Sequence, residues 1–280
     1  MDDKKYWGGT DMVFQCLIDK KRTVFFSDII KKVVKKGDVV VDLGTGSGVM
    51  SLYAIQAGAK KVYSVEADMD LCSTLEKTIK LNNLEGKMEL IKADATKVEL
   101  PEKVDVVICE MIATCLLDEL QVPVMNNILR YCHSDTKIIP SVMDNYIDLV
   151  QTDEEFYGVR IKAVQYEYGY SDESGRSDPI QRSDKHMYYS ADFTTPIQNT
   201  YISREITLDI LSDGIVNGLR FSNNSKFPDG SELGETPAYA MPLIMPIEDI
   251  TVSAGDKVAV KFDYEMCTGL HNLSFNIQKA

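Results

Sequence analysis

A glycine-rich turn between a buried strand and a helix is the clearest chemical signal in the sequence. Val39–Leu43 has the apolar character of a buried strand, and the turn after it carries Gly44, Gly46 and Gly48. Glycines let the backbone turn tightly and approach a ligand without a Cβ in the way. Glu66 stands eighteen residues after Gly48, at the end of the next predicted strand. Its carboxylate is placed to accept hydrogen bonds from both hydroxyls of a ribose, so these residues predict a nucleoside site.

The spacing of the glycines distinguishes this turn from a dinucleotide-binding turn. The dinucleotide fingerprint G-x-G-x-x-G sets a helix N-terminus against a pyrophosphate, whereas here the third glycine comes one residue early and Asp42 precedes the turn. S-adenosyl-L-methionine has no phosphate, and its cationic groups favour carbonyls and carboxylates. Asp94, at the end of a third strand, is placed to accept a hydrogen bond from an adenine amino group. We therefore predict this cofactor, with S-adenosyl-L-homocysteine as product; the alternative is an ordinary Rossmann turn with incidental acids.

The elements that must position these residues alternate between strands and helices. Strands are predicted at 39–43, 62–66, 88–94, 104–110 and 137–140, and helices at 49–58, 71–81 and 120–131. Strands separated by helices favour a parallel sheet covered on both faces. We expect residues 1–139 to form a Rossmann-like α/β domain that binds the cofactor.

The pattern changes after Pro140 to short segments of alternating polarity. These segments lie at 145–150, 160–164, 203–210, 256–264 and 272–277, with turn residues between them. Such alternation is typical of antiparallel strands. We expect residues 140–280 to form an antiparallel, β-barrel-like substrate domain.

Residues 39–68 resemble the first two cofactor motifs of the protein arginine methyltransferases. The segment Asp19-Lys-Lys-Arg22-Thr looks like the family's D-x-x-R-T, whose arginine pairs with the cofactor carboxylate; the resemblance implies that role for Arg22. The family also carries two glutamates on a loop after its fourth strand, at the spacing of Glu110 and Glu119. The resemblance implies that Glu110 and Glu119 are the catalytic pair.

The chemistry of two such glutamates is intelligible without the family. Two carboxylates on one loop can grip a guanidinium through charge-assisted hydrogen bonds. They would hold one nitrogen in line with the methyl–sulfur bond and stabilise the cation that forms. The alternative is that Glu110 caps a helix N-terminus and Glu119 is a solvated surface residue.

The resemblance is specific over residues 19–141 and weaker beyond them. Pro237-Ala-Tyr-Ala-Met-Pro stands where the family has its Thr-His-Trp loop, and it contains neither histidine nor tryptophan. This departure favours a small or specialised acceptor. The family assembles through a helical arm that is not recognisable here, so a homodimer is an expectation carried by the resemblance alone.

The composition of the chain limits which classes of ligand and partner we expect it to bind. The formal net charge of −13 should repel the phosphate backbones of nucleic acids and suits a cationic acceptor. The alternative is that the acidity only keeps the protein soluble. Six scattered cysteines and three histidines give no metal-ligand pattern. With no long apolar segment in the sequence, we expect a cytoplasmic protein without membrane, nucleic-acid or metal partners.

The sequence thus predicts an N-methyltransferase whose acceptor is a guanidinium or amine nitrogen, on a protein, a peptide or an arginine-like metabolite. Two other functions remain open. One is methylation of oxygen or carbon in a small molecule, for which Glu119 would matter little. The other is a non-catalytic binding module, for which the intact glycine turn with Glu66 would have no purpose.

Overall fold

The computed structural model describes residues 10–167 and 177–279, and its first half is a parallel sheet flanked by helices. The helices are α1 Thr10–Ile18, α2 Lys20–Val33, α3 Val49–Ala57, α4 Met69–Leu81 and α5 Gln121–Ile128. The strands are β1 Val39–Leu43, β2 Lys61–Glu66, β3 Met88–Lys92, β4 Val104–Cys109 and β5 Cys132–Ile139. They pair in parallel in the order β3-β2-β1-β4-β5. The predicted Rossmann-like α/β architecture is confirmed.

The strand β1 lies in the middle of this sheet because its side chains are buried on both faces. Leu43, its last residue, pairs with Val65 of β2 and with Cys109 of β4. The carboxyl ends of three strands therefore meet at one edge of the sheet, where open α/β sheets bind ligands. Glu66 and Glu110 both lie at this edge, beside the glycine-rich turn.

The second half of the chain is antiparallel. Its strands are β6 Val142–Gln151, β7 Glu155–Phe156, β8 Val159–Arg160, β9 Gln165–Tyr166, β10 Ile180–Gln181, β11 His186–Asp192, β12 Tyr201–Asp209, β13 Gly214–Lys226, β14 Glu232–Leu233, β15 Leu243–Val252, β16 Lys257–Glu265 and β17 Ser274–Lys279. Seven of them form one sheet along the path β10-β6-β13-β15-β9, with β11 and β14 added to β6 and β13. A second sheet has the order β12-β16-β17, and β7 pairs with β8. The antiparallel architecture is confirmed, whereas the division of the chain at residue 139 stays a prediction.

Aromatic side chains join the two antiparallel sheets. The ring of Phe262 in β16 lies 4.9 Å from that of Tyr188 in β11 and 5.5 Å from that of Phe221 in β13. The Tyr188 hydroxyl also contacts that of Tyr264 at 2.9 Å. Edge-to-face packing of this kind adds to the burial of the rings themselves. The predicted strand at 160–164 is wrong beyond Arg160, since β8 contains two residues.

The start of α2 is fixed to the second half of the chain. Asp19 caps α2 by accepting a hydrogen bond from the Arg22 amide, at 3.1 Å. The other oxygen of Asp19 accepts from the Thr236 hydroxyl and from the Ala238 amide. Thus the segment in the place of the Thr-His-Trp loop anchors the helix that carries Arg22. Within the described ranges, no helix is long and apolar enough to cross a membrane.

Candidate active site

The glycine-rich turn is shaped by close contacts as well as by backbone conformation. All three of its glycines have positive φ values. A Cβ on Gly48 would lie 2.4 Å from Leu75 Cδ1 of α4, and one on Gly46 would lie 3.3 Å from Val13 Cγ1 of α1. A side chain at Gly48 would therefore require Leu75 to shift and would be strained at a φ of 78°. The contact with Val13 also places α1 directly beside the turn.

Asp42 holds the turn together. One of its carboxylate oxygens accepts hydrogen bonds from the Thr45 hydroxyl at 2.6 Å, and from the hydroxyl and amide of Ser51 at 2.6 and 3.1 Å. Burial raises the pKa of Asp42, although these donors oppose the rise. The contacts tie the end of β1 to the first turn of α3. The structure thus gives the predicted cofactor residue Asp42 an observed role in fixing the loop.

Glu66 points into the same turn. Its Oε2 accepts a hydrogen bond from the Gly46 amide at 3.0 Å, and its Oε1 accepts from the amides of Ala67 and Asp68 at 2.9 Å. The side chain is buried at the edge of the sheet. Three backbone donors fix the orientation of the carboxylate, and its oxygens keep lone pairs for a further donor. This geometry fits the diol of a ribose.

Asp94 lies on the loop after β3. Its Oδ1 accepts from the amide and the hydroxyl of Thr96, at 2.9 and 2.7 Å. These bonds turn the loop at the carboxyl end of β3. The predicted contact of Asp94 with adenine stays a prediction.

Arg22 and Glu110 form a buried ion pair between α2 and the end of β4. Nη2 of Arg22 donates to Glu110 Oε2, and Nη1 donates to the Cys16 carbonyl at 3.1 Å. Side-chain exposure is 6% for Arg22 and 10% for Glu110, so this pair is shielded from water. Glu110 does not cap either of the following short helices, because no side chain caps them. The pair brings together two residues that are 88 positions apart in sequence.

Nε of Arg22 is a buried donor that, within the described part of the chain, finds no hydrogen-bond acceptor. A buried donor without an acceptor is costly, and a bound anion would satisfy it. The carboxylate of S-adenosylmethionine is such an anion. With the diol acceptor at Glu66 beside the glycine-rich turn, the residues present therefore fit this cofactor. Arg22, Glu66 and the glycine turn would hold it.

Glu119 lies on the same loop as Glu110 and is partly buried. Its pKa is raised to about 7, chiefly by burial; the charge of neighbouring Asp118 adds to the rise, and Arg22 opposes it. Among the described residues no lysine, arginine or histidine forms an ion pair with Glu119, so its carboxylate lacks a counter-ion of its own. A perturbed carboxylate in this position is typical of functional sites.

The loop that carries both glutamates is held by the second half of the chain. The Asn223 side chain accepts from the Cys115 amide at 3.3 Å, and the Tyr264 hydroxyl donates to the Cys115 carbonyl at 2.9 Å. The Thr114 hydroxyl donates to the Met241 carbonyl. Cys115, Leu116 and Glu119 all have positive φ, a conformation that needs such support. These contacts join residues far apart in sequence and were not predicted.

Gln121 is a further residue that the sequence analysis missed. It is fully buried and begins α5. Its amide bonds to the backbone on both sides of Glu110, accepting from the Met111 amide at 3.0 Å and donating to the Cys109 carbonyl at 2.9 Å. A polar residue at a helix start, two positions after a candidate glutamate, is the signal that would have drawn attention to it.

Comparison with known proteins agrees with this site. The fold and the cofactor site define an S-adenosylmethionine-dependent methyltransferase. The model of the ribosomal protein L11 methyltransferase (PrmA) family matches residues 22–165, more than half of the chain, and the chain belongs to this methyltransferase family. An uncharacterized protein of Methanocaldococcus jannaschii is 31% identical over 268 residues, covering 94% of this chain and 95% of that protein.

The protein is also similar to arginine methyltransferases. Protein arginine N-methyltransferase 6 of Danio rerio is 40% identical over 116 residues, which are 40% of this chain and 32% of that protein. The PRMT1 enzyme–prozyme complex of Trypanosoma brucei with AdoHcy aligns with a TM-score of 0.75 at 18% identity, over 95% of this chain and 96% of that chain. Protein arginine methyltransferase 10 of Arabidopsis thaliana aligns with a TM-score of 0.78 at 19% identity, over 95% and 93%. The structural likeness covers both halves of the fold. Together with the family match, it confirms the predicted S-adenosylmethionine-dependent methyltransferase and its cofactor.

Proposed function

We propose that the protein methylates a guanidinium nitrogen of arginine, in a protein, a peptide or a small arginine-like molecule. The observation that carries this proposal is the charge arrangement on one loop. Glu110 and Glu119 both lie near a single cation, Arg22, which pairs directly with Glu110. Among residues 10–167 and 177–279, Glu119 is thereby left without a cationic partner in a partly buried position, and a cationic acceptor would supply one.

The residues would divide the work between cofactor and acceptor. Arg22, Glu66 and the glycine turn hold the cofactor, with Asp42 fixing the turn and Asp94 at the adenine end. Glu110 and Glu119 grip the acceptor through charge-assisted hydrogen bonds to planar N–H donors. S-adenosylmethionine, when bound, supplies an electrophilic methyl group at its sulfonium.

The glutamates would act by orientation and by charge. Holding one guanidinium nitrogen in a fixed direction lowers the entropic part of the barrier. Methyl transfer to a guanidinium releases one proton from the attacking nitrogen, and Glu119 has the pKa to accept it near neutral pH. The carboxylate of Glu110, held by Arg22, would stabilise the cation throughout.

Sequence similarity to arginine methyltransferases supports this acceptor, but in the Danio rerio protein it covers only part of the chain. The chain spans 32% of the Danio rerio arginine methyltransferase. In addition, the segment at 237–242 lacks the family's histidine and tryptophan. For this reason we include free arginine among the acceptors, and a homodimer remains part of the proposal.

The test is a comparison of acceptors with one cofactor. An arginine peptide, free arginine, a lysine peptide and a phenol would each be incubated with the protein and S-adenosylmethionine, and mass spectrometry would locate the added methyl group. We expect methyl on a guanidinium nitrogen, and no transfer by the Glu110→Gln variant. Methyl on oxygen or carbon, with full activity in Glu119→Ala, would overturn the proposal.

A further inference from the structure

Gln121, the first residue of α5, directs its side chain to the segment that carries Glu110. Its side chain is fully buried, and its amide meets three groups of the segment from Cys109 to Met111. Oε1 accepts from the Met111 amide and from the Cys109 thiol at 3.3 Å, while Nε2 donates to the Cys109 carbonyl. The Gln121 amide thus takes the place of the N–H and C=O groups that a neighbouring parallel strand would present, just beyond the end of β4.

These bonds surround Glu110 on both sides. The Cys109 carbonyl and the Met111 amide belong to the two peptide units that flank Glu110, so fixing them fixes its backbone dihedral angles. Two residues before Gln121 stands Glu119, whose backbone has a φ of 46°. One side chain therefore ties the helix start that follows Glu119 to the peptides that flank Glu110.

We infer that Gln121 is a positioning residue, which sets the relative placement of the Glu110 and Glu119 carboxylates for the acceptor. The inference rests on the proposed function, because it assumes that both glutamates bind the acceptor. Gln121 itself contacts backbone and a thiol in the observed structure, and so acts through its neighbours. A small misplacement of a gripping carboxylate has a large effect on the rate of a displacement reaction.

The test uses a substitution of nearly equal shape. In Gln121→Met the Cys109 carbonyl and the Met111 amide lose their partners, while the volume of the side chain is kept. We expect kcat with an arginine peptide to fall by about 10-fold or more. The Kd for S-adenosylhomocysteine, measured by calorimetry, is expected to change by less than about threefold, because Glu66 and the glycine turn are not touched.

A matched control exists in the second half of the chain. Gln165 of β9 is also buried and accepts from the Thr152 hydroxyl at 2.8 Å. The Gln165→Met variant removes a buried amide in the same way, and its kcat should equal that of the wild type. A loss of kcat in both variants would show a general effect of stability and would overturn the positioning role.

A second variant keeps the test decisive if Gln121→Met fails to fold. A neutral carboxylic acid has the donor and the acceptor of an amide, whereas a carboxylate only accepts. The ratio of kcat in Gln121→Glu to kcat in the wild type should therefore rise as pH falls from about 8 to about 6, since a buried carboxyl protonates in this range. The other titratable groups around the loop are present in both proteins, so the ratio of the two kcat values isolates residue 121. These groups are Arg22, Asp42, Cys109, Glu110, Asp118, Glu119 and Cys267.

The outcomes separate this inference from the proposed function. If the wild type transfers methyl to the peptide and Gln121→Met keeps its kcat, or if the Gln121→Glu ratio is independent of pH, the positioning role is wrong and the function stands. If the wild type transfers no methyl to a guanidinium, both proposals fall.

Discussion

Replacing Glu119 with glutamine is expected to stabilise the folded protein while stopping methyl transfer. The pKa of Glu119 rises from 4.5 to about 7 in the folded protein, mainly because burial disfavours the charged form. Between these two pH values the folded state binds more protons at Glu119 than the unfolded state does. The contribution of this group to stability therefore falls as pH rises through that range, and above about pH 7 its full cost is present.

The magnitude follows from the same two values. A pKa difference of this size corresponds to about 3 kcal/mol, which the ionised carboxylate subtracts from the free energy of unfolding at high pH. Glutamine does not titrate, so the variant should be more stable than the wild type by up to about 3 kcal/mol near pH 8. Near pH 4 the difference should be small, because Glu119 is then largely protonated in both states.

Urea denaturation at the two pH values measures this effect. The midpoint of Glu119→Gln should exceed that of the wild type by about 1 M near pH 8. Glu99→Gln, the same substitution at an exposed position, should lie within about 0.5 kcal/mol of the wild type at both pH values. An equal change for Glu119→Gln at both pH values, or a loss of stability at the higher one, would refute the reasoning from burial.

Three further predictions concern the elements around the site. Gly48→Ala should destabilise the protein by about 1–3 kcal/mol in urea unfolding, since its Cβ would collide with Leu75; an unchanged midpoint would contradict the packing at this turn. Arg22→Met should weaken S-adenosylhomocysteine binding in calorimetry by about 10-fold or more, because a charged hydrogen bond is lost, whereas equal affinity would exclude Arg22 from the cofactor site. Asp19→Ala should lower the free energy of unfolding by about 1–2 kcal/mol, measured in thermal or urea unfolding, because the α2 cap and the hydrogen bond from Thr236 are both lost. A loss no larger than that of an ordinary surface substitution would contradict the anchoring of α2 to the second half of the chain.

The parallel half of the fold could be predicted because local sequence and tertiary environment agree there. Val39–Leu43 is apolar at four of five positions and becomes the central strand. The predicted helix at 71–81 begins two residues earlier, at Met69, where Asp68 caps it by accepting from the Asp70 and Leu71 amides. Such a cap is readable in sequence.

The antiparallel half was less predictable because its longest strand is polar. The strand β13 contains Asn217, Ser222 and Asn223, all buried, and no alternating pattern revealed it. The side chain of Asn217 bonds to the amide and the carbonyl of Thr152, at 2.8 and 2.9 Å. Because the amide of Asn217 is satisfied by a residue 65 positions away in sequence, its burial depends on a contact that sequence alone does not show.

The site divides in the same way. The glycine turn and Glu66 could be located from sequence because they follow consecutive strands, whose ends meet by topology. Two other features depend on how α2 and α5 pack against the sheet. They are the ion pair of Arg22 with Glu110 and the hydrogen bonds of the Gln121 side chain to the peptides that flank Glu110. Spacing along the chain carries no information on such contacts.

Calorimetric titration of S-adenosylhomocysteine into the Glu66→Ala and Glu110→Gln variants tests the assignment of the two halves of the site most directly. The account predicts that Glu66→Ala loses most of its affinity, while Glu110→Gln binds at least as tightly as the wild type, because Arg22 no longer has its charge balanced by Glu110 and attracts the cofactor carboxylate more strongly. Glu110→Gln should nevertheless transfer no methyl group. Wild-type affinity in Glu66→Ala, or loss of binding in Glu110→Gln, would contradict the division of the site into a cofactor half and an acceptor half.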